Sequence, residues 1–267
     1  MMFFEFVPEN TTDCNVRAWI HSTNGSPEMV QHVYPAIVIC PGGGYREVSD
    51  READPVAEPY FAAGFNVFIL TYSVGEKAKN FTPLIQLAST IAHIRKYSEQ
   101  MCTEKQKIAV CGFSAGGHLA ASVGTLFNEE RFLHVFPRKC DIRPDAMVLC
   151  YPVITSDEFA HVDSIETISS DKIGGEQYCW FGLDKHVDRH TPPTFLWHTA
   201  EDEAVPVENS LKLAMALSNC KIPFELHVFP TGGHGMSVCT KAVGCENWYN
   251  ARWVELSVQW LKKIFNL

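Results

Sequence analysis

The chain has no run approaching the ~20 apolar residues that a bilayer-spanning helix needs. It also has no Cys-x-x-Cys pair, no internal repeat and no low-complexity tract. The first absence argues against a helical membrane protein, and the second removes the commonest sequence sign of a zinc site. The last two argue against a solenoid or a linker-rich chain. The opening segment, Met-Met-Phe-Phe-Glu-Phe-Val-Pro-Glu, lacks a basic stretch and carries Glu5 inside its apolar run, so a secretory leader is not expected. Positive charge is scarce: 22 Lys and Arg against 31 Asp and Glu leave a net charge of −9. That balance argues against nucleic acid or an anionic membrane as partner and disfavours strongly anionic substrates. Cysteine is not scarce, with ten in all, but Cys40, Cys111 and Cys150 lie in apolar runs where cysteine acts as a small hydrophobe. Reduced thiols in a cytoplasm are the simplest expectation.

Apolar runs near 15–20, 34–40, 66–72, 107–112, 145–151, 193–199 and 223–229 read as strands, and helical patterns fall near 82–99, 115–126, 207–220 and 247–265. Such alternation predicts an α/β fold, a mostly parallel sheet with helices on both faces. At 267 residues one large domain is expected, burying roughly 70–75% of its unfolded surface. The interval 155–191 breaks the alternation. It mixes Gly174-Gly175, Tyr178, Trp180, Phe181 and many charges, and is expected to form a short lid or substrate wall above a site.

Residues 108–121 read Ile-Ala-Val-Cys-Gly-Phe-Ser-Ala-Gly-Gly-His-Leu-Ala-Ala: a strand, a sharp turn and a helix, with Ser114 at the apex. The reversal brings two backbones close, so it demands the missing Cβ of Gly112 and Gly116. The Ala115 N–H faces the space before the hydroxyl, where an oxyanion would develop. A nucleophilic serine in such a sheet is followed along the chain by an acid and then a histidine. The strand 194–199 runs into Glu201-Asp202-Glu203-Ala204-Val205-Pro206, which offers Asp202. The strand 223–229 runs through Pro230-Thr-Gly-Gly233 into His234, a base on a mobile glycine-rich loop. Upstream, the strand 34–40 ends in Pro41-Gly42-Gly43-Gly44-Tyr45. Three successive glycines are entropically costly to order, and they make sense where the N–H groups of Gly43 and Gly44 must approach a substrate oxygen.

With these four segments in this order, the chain resembles an α/β-hydrolase of the esterase/lipase superfamily. Pro41-Gly-Gly-Gly-Tyr45, Tyr72-Ser73-Val74 and Pro192-Pro-Thr-Phe-Leu-Trp-His198 make it most similar to bacterial acetyl-xylan-esterase-like carbohydrate esterases. Pro41 stands where the hormone-sensitive-lipase-like branch carries histidine, a departure from that branch. The resemblance implies a serine carboxylesterase acting on short-chain, acetyl esters of sugars or carbohydrates. Its catalytic residues would be Ser114, Asp202 and His234, its oxyanion hole Gly43, Gly44 and Ala115, and it would need neither cofactor nor metal. A small-molecule ester would be the partner, and a homo-oligomer stays open. Asp202 is favoured over Glu201 and Glu203 by the Asp-x-x-Val-Pro pattern.

Other residues invite further assignments. Tyr45, Trp180 and Phe181 are candidates for lining a sugar site, with packing as the alternative. His118, four residues beyond Ser114, reads as a helix residue packed under the turn, because a base on the same rigid helix points back along it. His186, His190, His198 and His227 lack a comparable context and default to structural or surface roles. Two further readings of the whole chain stay open. One is a serine peptidase or amidase of the prolyl-oligopeptidase type, although those usually add a propeller for which no room is expected here. The other is a non-catalytic ligand-binding member of the fold.

Overall fold

The computed structural model describes residues 1–22, 28, 30, 31, 33–136, 138 and 141–267. Its centre is β3 (Tyr34–Cys40), buried at every position. The run has no polar alternation because both its faces are covered by other layers. On one side of it lie β4 (Asn66–Thr71), β2 (Asn15–Ile20) and the edge strand β1 (Met2–Phe6). On the other lie β5 (Thr103–Phe113), β6 (Ala146–Cys150), β7 (Thr194–Thr199) and β8 (Phe224–Phe229). The eight-stranded order is β1-β2-β4-β3-β5-β6-β7-β8. β1 and β2 run antiparallel, and the rest is parallel.

Alternate side chains of β3 feed two cores. Ala36, Val38 and Cys40 pack beneath α2 (Thr82–Lys96), α3 (Ala115–Leu126), α5 (Val162–Ser169) and α7 (Glu208–Asn219). Ile37 and Ile39 pack against α1 (Asp54–Ala62) and α8 (Arg252–Phe265) on the opposite face. The short α4 (Glu130–Leu133) and α6 (Glu176–Trp180) complete the helices among the described residues. After β3 the chain builds strands on one side, and from β5 onward it builds them on the other. The carboxyl ends of β3 and β5 therefore flank the crevice where open α/β sheets bind ligands.

Among the elements that depart from the sequence expectation are β1, α1 and α8. β1 adds an eighth strand; as an edge it is exposed along nearly its whole length, so no buried face imposed an alternating pattern. α1 carries Pro55 in its first turn and Pro59 within, and two prolines hide a helix from pattern reading. α8 begins at Arg252, not 247, because the Asn247 side chain accepts hydrogen bonds from the Tyr249 and Asn250 N–H groups, an Asx turn that precedes the helix.

Candidate active site

Four loops meet above the carboxyl ends of the strands. The register Cys40↔Gly112 sets the glycine loop after β3 beside the turn after β5. A Cβ on Gly116 would run into the carbonyls of Cys40 and Pro41, and one on Gly112 into the carbonyl of Gly116. The contact is backbone on backbone and explains both glycines. Ser114 between them has φ 52° and ψ −118°, a strained conformation for a residue with a side chain. The surroundings hold it there: the Ser114 N–H donates to the Cys150 carbonyl at 3.0 Å, and the Ser114 carbonyl accepts from His118 and Val153.

The loop after β7 supplies Asp202 and the loop after β8 supplies His234. The Ser114 Oγ lies 2.8 Å from His234 Nε2, and His234 Nδ1 lies 2.7 Å from Asp202 Oδ2. An ionised carboxylate only accepts, so Nδ1 carries the proton and Nε2 presents its lone pair to the serine hydroxyl. Asp202 Oδ1 accepts from the N–H groups of Ala204 and Val205 at 3.1 and 2.9 Å, which fixes its plane. Burial alone would raise its pKa. The hydrogen bonds from His198 and His234, the charge on His234 and the Val205 N–H outweigh that and hold the carboxyl well below the usual carboxylate range.

His198, given no special place from sequence, is fully buried on β7. Its Nε2 donates to the Val205 carbonyl at 2.9 Å and lies 3.3 Å from Asp202 Oδ2. Ser210 caps its Nδ1 at 2.8 Å. The His-x-x-x-Asp spacing across a strand end was the one available signal. The histidine loop is also more firmly held than its glycines suggested: Asn250 Nδ2 donates to the Thr231 carbonyl, Gly232 N–H to Glu201, and Trp253 Nε1 to the Ser237 carbonyl.

Gly43 and Gly44 have φ of 130° and 65° and line, with Ser114 and His234, a cleft of about 300 Å³. Such positive φ values strain any residue with a Cβ. Ala115 opens α3, so its N–H has no partner within the helix. The rest of the cleft is polar: Arg46, Glu47, Arg51, Glu52, His161 and Asp163. His161 and Asp163 come from the 155–191 segment, which thereby forms one wall. Arg46 bridges to Asp163 at 2.9 Å across the rim.

Tyr45, Trp180 and Phe181 do not line this cleft. Tyr45 and Phe181 are fully buried. The Tyr45 hydroxyl lies 2.9 Å from His118 Nδ1, and His118 Nε2 donates to the Phe181 carbonyl at 3.1 Å. Trp180 packs on Phe81, Phe181 and His186. All three aromatics fill the layer beneath the wall, where apolar area contributes more than it would beside charged groups.

Burial, partly countered by the Phe181 carbonyl, lowers the His118 pKa from 6.5 to about 4. A lowered histidine pKa means the unfolded chain takes up the proton first. The stability is therefore whole above about 6.5 and is lost as pH falls towards 4, approaching about 3 kcal/mol at the limit. Melting temperatures should decline across that window, and His118→Asn, although less stable at pH 7, should show a shallower decline. His21, His93 and His161 shift in the same direction, so part of the slope stays. An unchanged slope in the variant would exclude His118 as a contributor.

The sheet order and the loops at its carboxyl edge are those of an α/β-hydrolase, and the chain is of the esterase-like kind. It belongs to the BD-FAE family, which it matches over residues 25–217. It is similar to the endo-1,4-beta-xylanase B of Butyrivibrio fibrisolvens, at 36% identity over 207 residues, covering 76% of this chain and 32% of that protein. It is also similar to an acetylxylan esterase of Xylanibacter ruminicola, at 26% identity over 86% of this chain and 45% of that protein. The chain thus spans less than half of the length of these curated relatives. Among solved structures, the acetyl ester-xyloside bifunctional hydrolase of Caldicellulosiruptor lactoaceticus superposes with a TM-score of 0.80 at 34% identity, covering 94% of this chain and 88% of that one.

Proposed function

We propose that the chain is a serine carboxylesterase that removes short acyl groups, acetyl above all, from polar alcohols such as sugars. The observation that carries this reading is the continuous relay from Ser114 through His234 to Asp202, with 2.8 and 2.7 Å links. Ser114 attacks the ester carbonyl as His234 takes its proton. Asp202 keeps the imidazole in the accepting tautomer and stabilises the imidazolium. The N–H groups of Gly43, Gly44 and Ala115 receive the oxyanion. The alcohol leaves with the proton from His234, and water then repeats the sequence on the acyl-enzyme. The scheme calls for no metal and no cofactor.

Two features favour a small acyl group and a hydroxylated leaving group. The cleft of about 300 Å³ is walled by Arg46, Glu47, Arg51, His161 and Asp163, so it offers little apolar area to cover an alkyl tail. The relatives' names also point to acetylated xylan and xylosides. One methylene is worth only ~1–3 kcal/mol in a pocket, so discrimination should build over several carbons. Measured on p-nitrophenyl esters, kcat/KM should be highest at C2 and fall progressively through C4, C6 and C8, and acetylated xylose or xylo-oligosaccharides should release acetate. An optimum at C8 would overturn the acyl assignment, and no acetate release from any acetylated sugar would overturn the alcohol assignment.

A further inference from the structure

Beside the relay sits a buried acid that the scheme above leaves without a task. Glu52 ends a short 3-10 turn, Asp50–Glu52, and is only 3% exposed. Its Oε2 accepts from the Gly42 N–H at 2.7 Å, and its Oε1 accepts from the Tyr151 hydroxyl at 2.6 Å. The same Tyr151 oxygen accepts from the Ser237 N–H at 2.8 Å. The Ser237 hydroxyl returns to the Arg51 carbonyl, which closes a ring. The carboxylate thus ties the glycine loop to the histidine loop through one phenol. Tyr151 has φ 37° and Ser237 φ 51°, both in the left-handed region that residues with a side chain adopt at a cost. The Tyr151 ring stands edge-on to the His234 imidazole, with centroids 5.0 Å apart.

No salt bridge neutralises Glu52 among the described residues. Burying a carboxylate without a cation costs several kcal/mol, and an amide side chain would fill the same space. An amide, however, could not accept from both the Gly42 N–H and the Tyr151 hydroxyl, so the acid is explained by its charge and its paired acceptors and not by packing. On the reading that Ser114, His234 and Asp202 form the catalytic relay, we propose that Glu52 is a positioning residue: it holds Gly42 and hence the oxyanion loop against Ser114, and anchors the histidine loop through Tyr151. Its negative charge also favours the imidazolium that His234 becomes during attack. Space around Gly42 agrees with a tight seat, since a Cβ there would lie 2.7 Å from Glu52 Oε2 and 2.9 Å from the Phe113 carbonyl.

The charges around these two groups come from several elements. His234 is faced by Asp202 from the loop after β7, by Glu52 from the 3-10 turn and by His161 from the 155–191 wall. Glu52 is faced by Tyr151, His234 and Arg51, with Tyr72 and the Cys150 thiol behind it. Burial raises the Glu52 pKa, while the Tyr151 and Gly42 bonds and the charges of His234 and Arg51 pull it back in part.

The test compares Glu52→Gln and Tyr151→Phe with the wild-type chain on p-nitrophenyl acetate, with kcat normalised to sites titrated by a fluorophosphonate. Glu52→Gln keeps the volume, removes the charge and leaves one of the two donors, the Gly42 N–H or the Tyr151 hydroxyl, facing an amide nitrogen. Its kcat per titrated site should fall about 10- to 100-fold with KM changed less than about twofold, as for an interaction made chiefly in the transition state. The acid limb of its kcat/KM profile should move to lower pH by about half a unit, because an imidazolium without a nearby anion is more acidic. Tyr151→Phe breaks the bridge but keeps the carboxyl, so its kcat should fall while the acid limb moves less than in Glu52→Gln. A purely structural acid would lower the melting temperature and the titrated fraction but leave kcat per site and the limb unchanged, and that result overturns the proposal. Failure of the fluorophosphonate to label wild-type Ser114 would instead overturn the relay on which the proposal rests.

Discussion

Ser114→Ala is expected to lower kcat for p-nitrophenyl acetate by on the order of 10⁴ or more while leaving the melting temperature close to that of the wild type. Removing a nucleophile that acts as one unit with its base abolishes the covalent route and leaves only binding and oxyanion stabilisation. The structural cost should be small. The Ser114 side chain is nearly buried, at 8% exposure, but the loss is one oxygen whose partner is His234 Nε2. Deletion of the hydroxyl also leaves the backbone bonds to Cys150, His118 and Val153 in place. Steady-state kinetics with a melting curve on the same preparation decide the matter, and a fluorophosphonate should label this serine and no other. Near-wild-type turnover in a folded variant would sink the assignment.

Asp202→Asn comes second in expected effect, with kcat lowered about 10³- to 10⁴-fold. The measured precedent is the triad aspartate, where the amide preserves shape but reverses the tautomer. Here an amide nitrogen facing His234 Nδ1 would donate, so the proton would move to Nε2 and the lone pair would no longer face Ser114. His198 sharpens the contrast, because its Nε2 also approaches Asp202 Oδ2 at 3.3 Å and an amide nitrogen at that place accepts from neither histidine. The flanking acids make the control. Glu201 is exposed and, among the described residues, accepts from the Gly232 N–H, and Glu203 is exposed. Glu201→Gln and Glu203→Gln should each cost less than about tenfold. Should Glu201→Gln prove the more damaging change, the orienting acid would be Glu201 and the relay drawn here would be wrong by one residue.

The readable parts of this site share a property: each is written into a few consecutive residues. A strand-to-helix reversal needs Gly112 and Gly116, so it leaves Gly-x-Ser-x-Gly. A backbone that must adopt φ of 130° and 65° leaves Gly43-Gly44. The acid and histidine follow strands that announce themselves by apolar runs. The unread parts depend on partners far along the chain. Glu52 meets Tyr151 across 99 positions and Tyr151 meets Ser237 across 86, and no local pattern encodes either meeting. Arg46 and Asp163 became rim residues only when the 155–191 segment folded over the glycine loop.

The aromatics show the converse. Tyr45 follows the glycine loop directly, and its neighbourhood suggested contact with substrate. Yet residue 45 turns inward at φ 59° to meet His118, and Phe181 and Trp180 close the same layer. Side-chain direction at a left-handed position depends on what can receive it, and an apolar hollow over α3 received this one.

The sequence by itself determined the alternation of strand and helix, the serine turn, the glycine loop and the chain order of acid and base, because steric limits on backbone reversals and the periodicity of burial act over short stretches. Only the tertiary structure decided which histidines stand near Asp202, what walls the cleft, and that a buried Glu52 joins the glycine loop to the histidine loop. Those outcomes rest on which loops the strand order β4-β3-β5-β6-β7-β8 brings side by side, and on the cost of burying a polar group without partners, which only the assembled packing can meet.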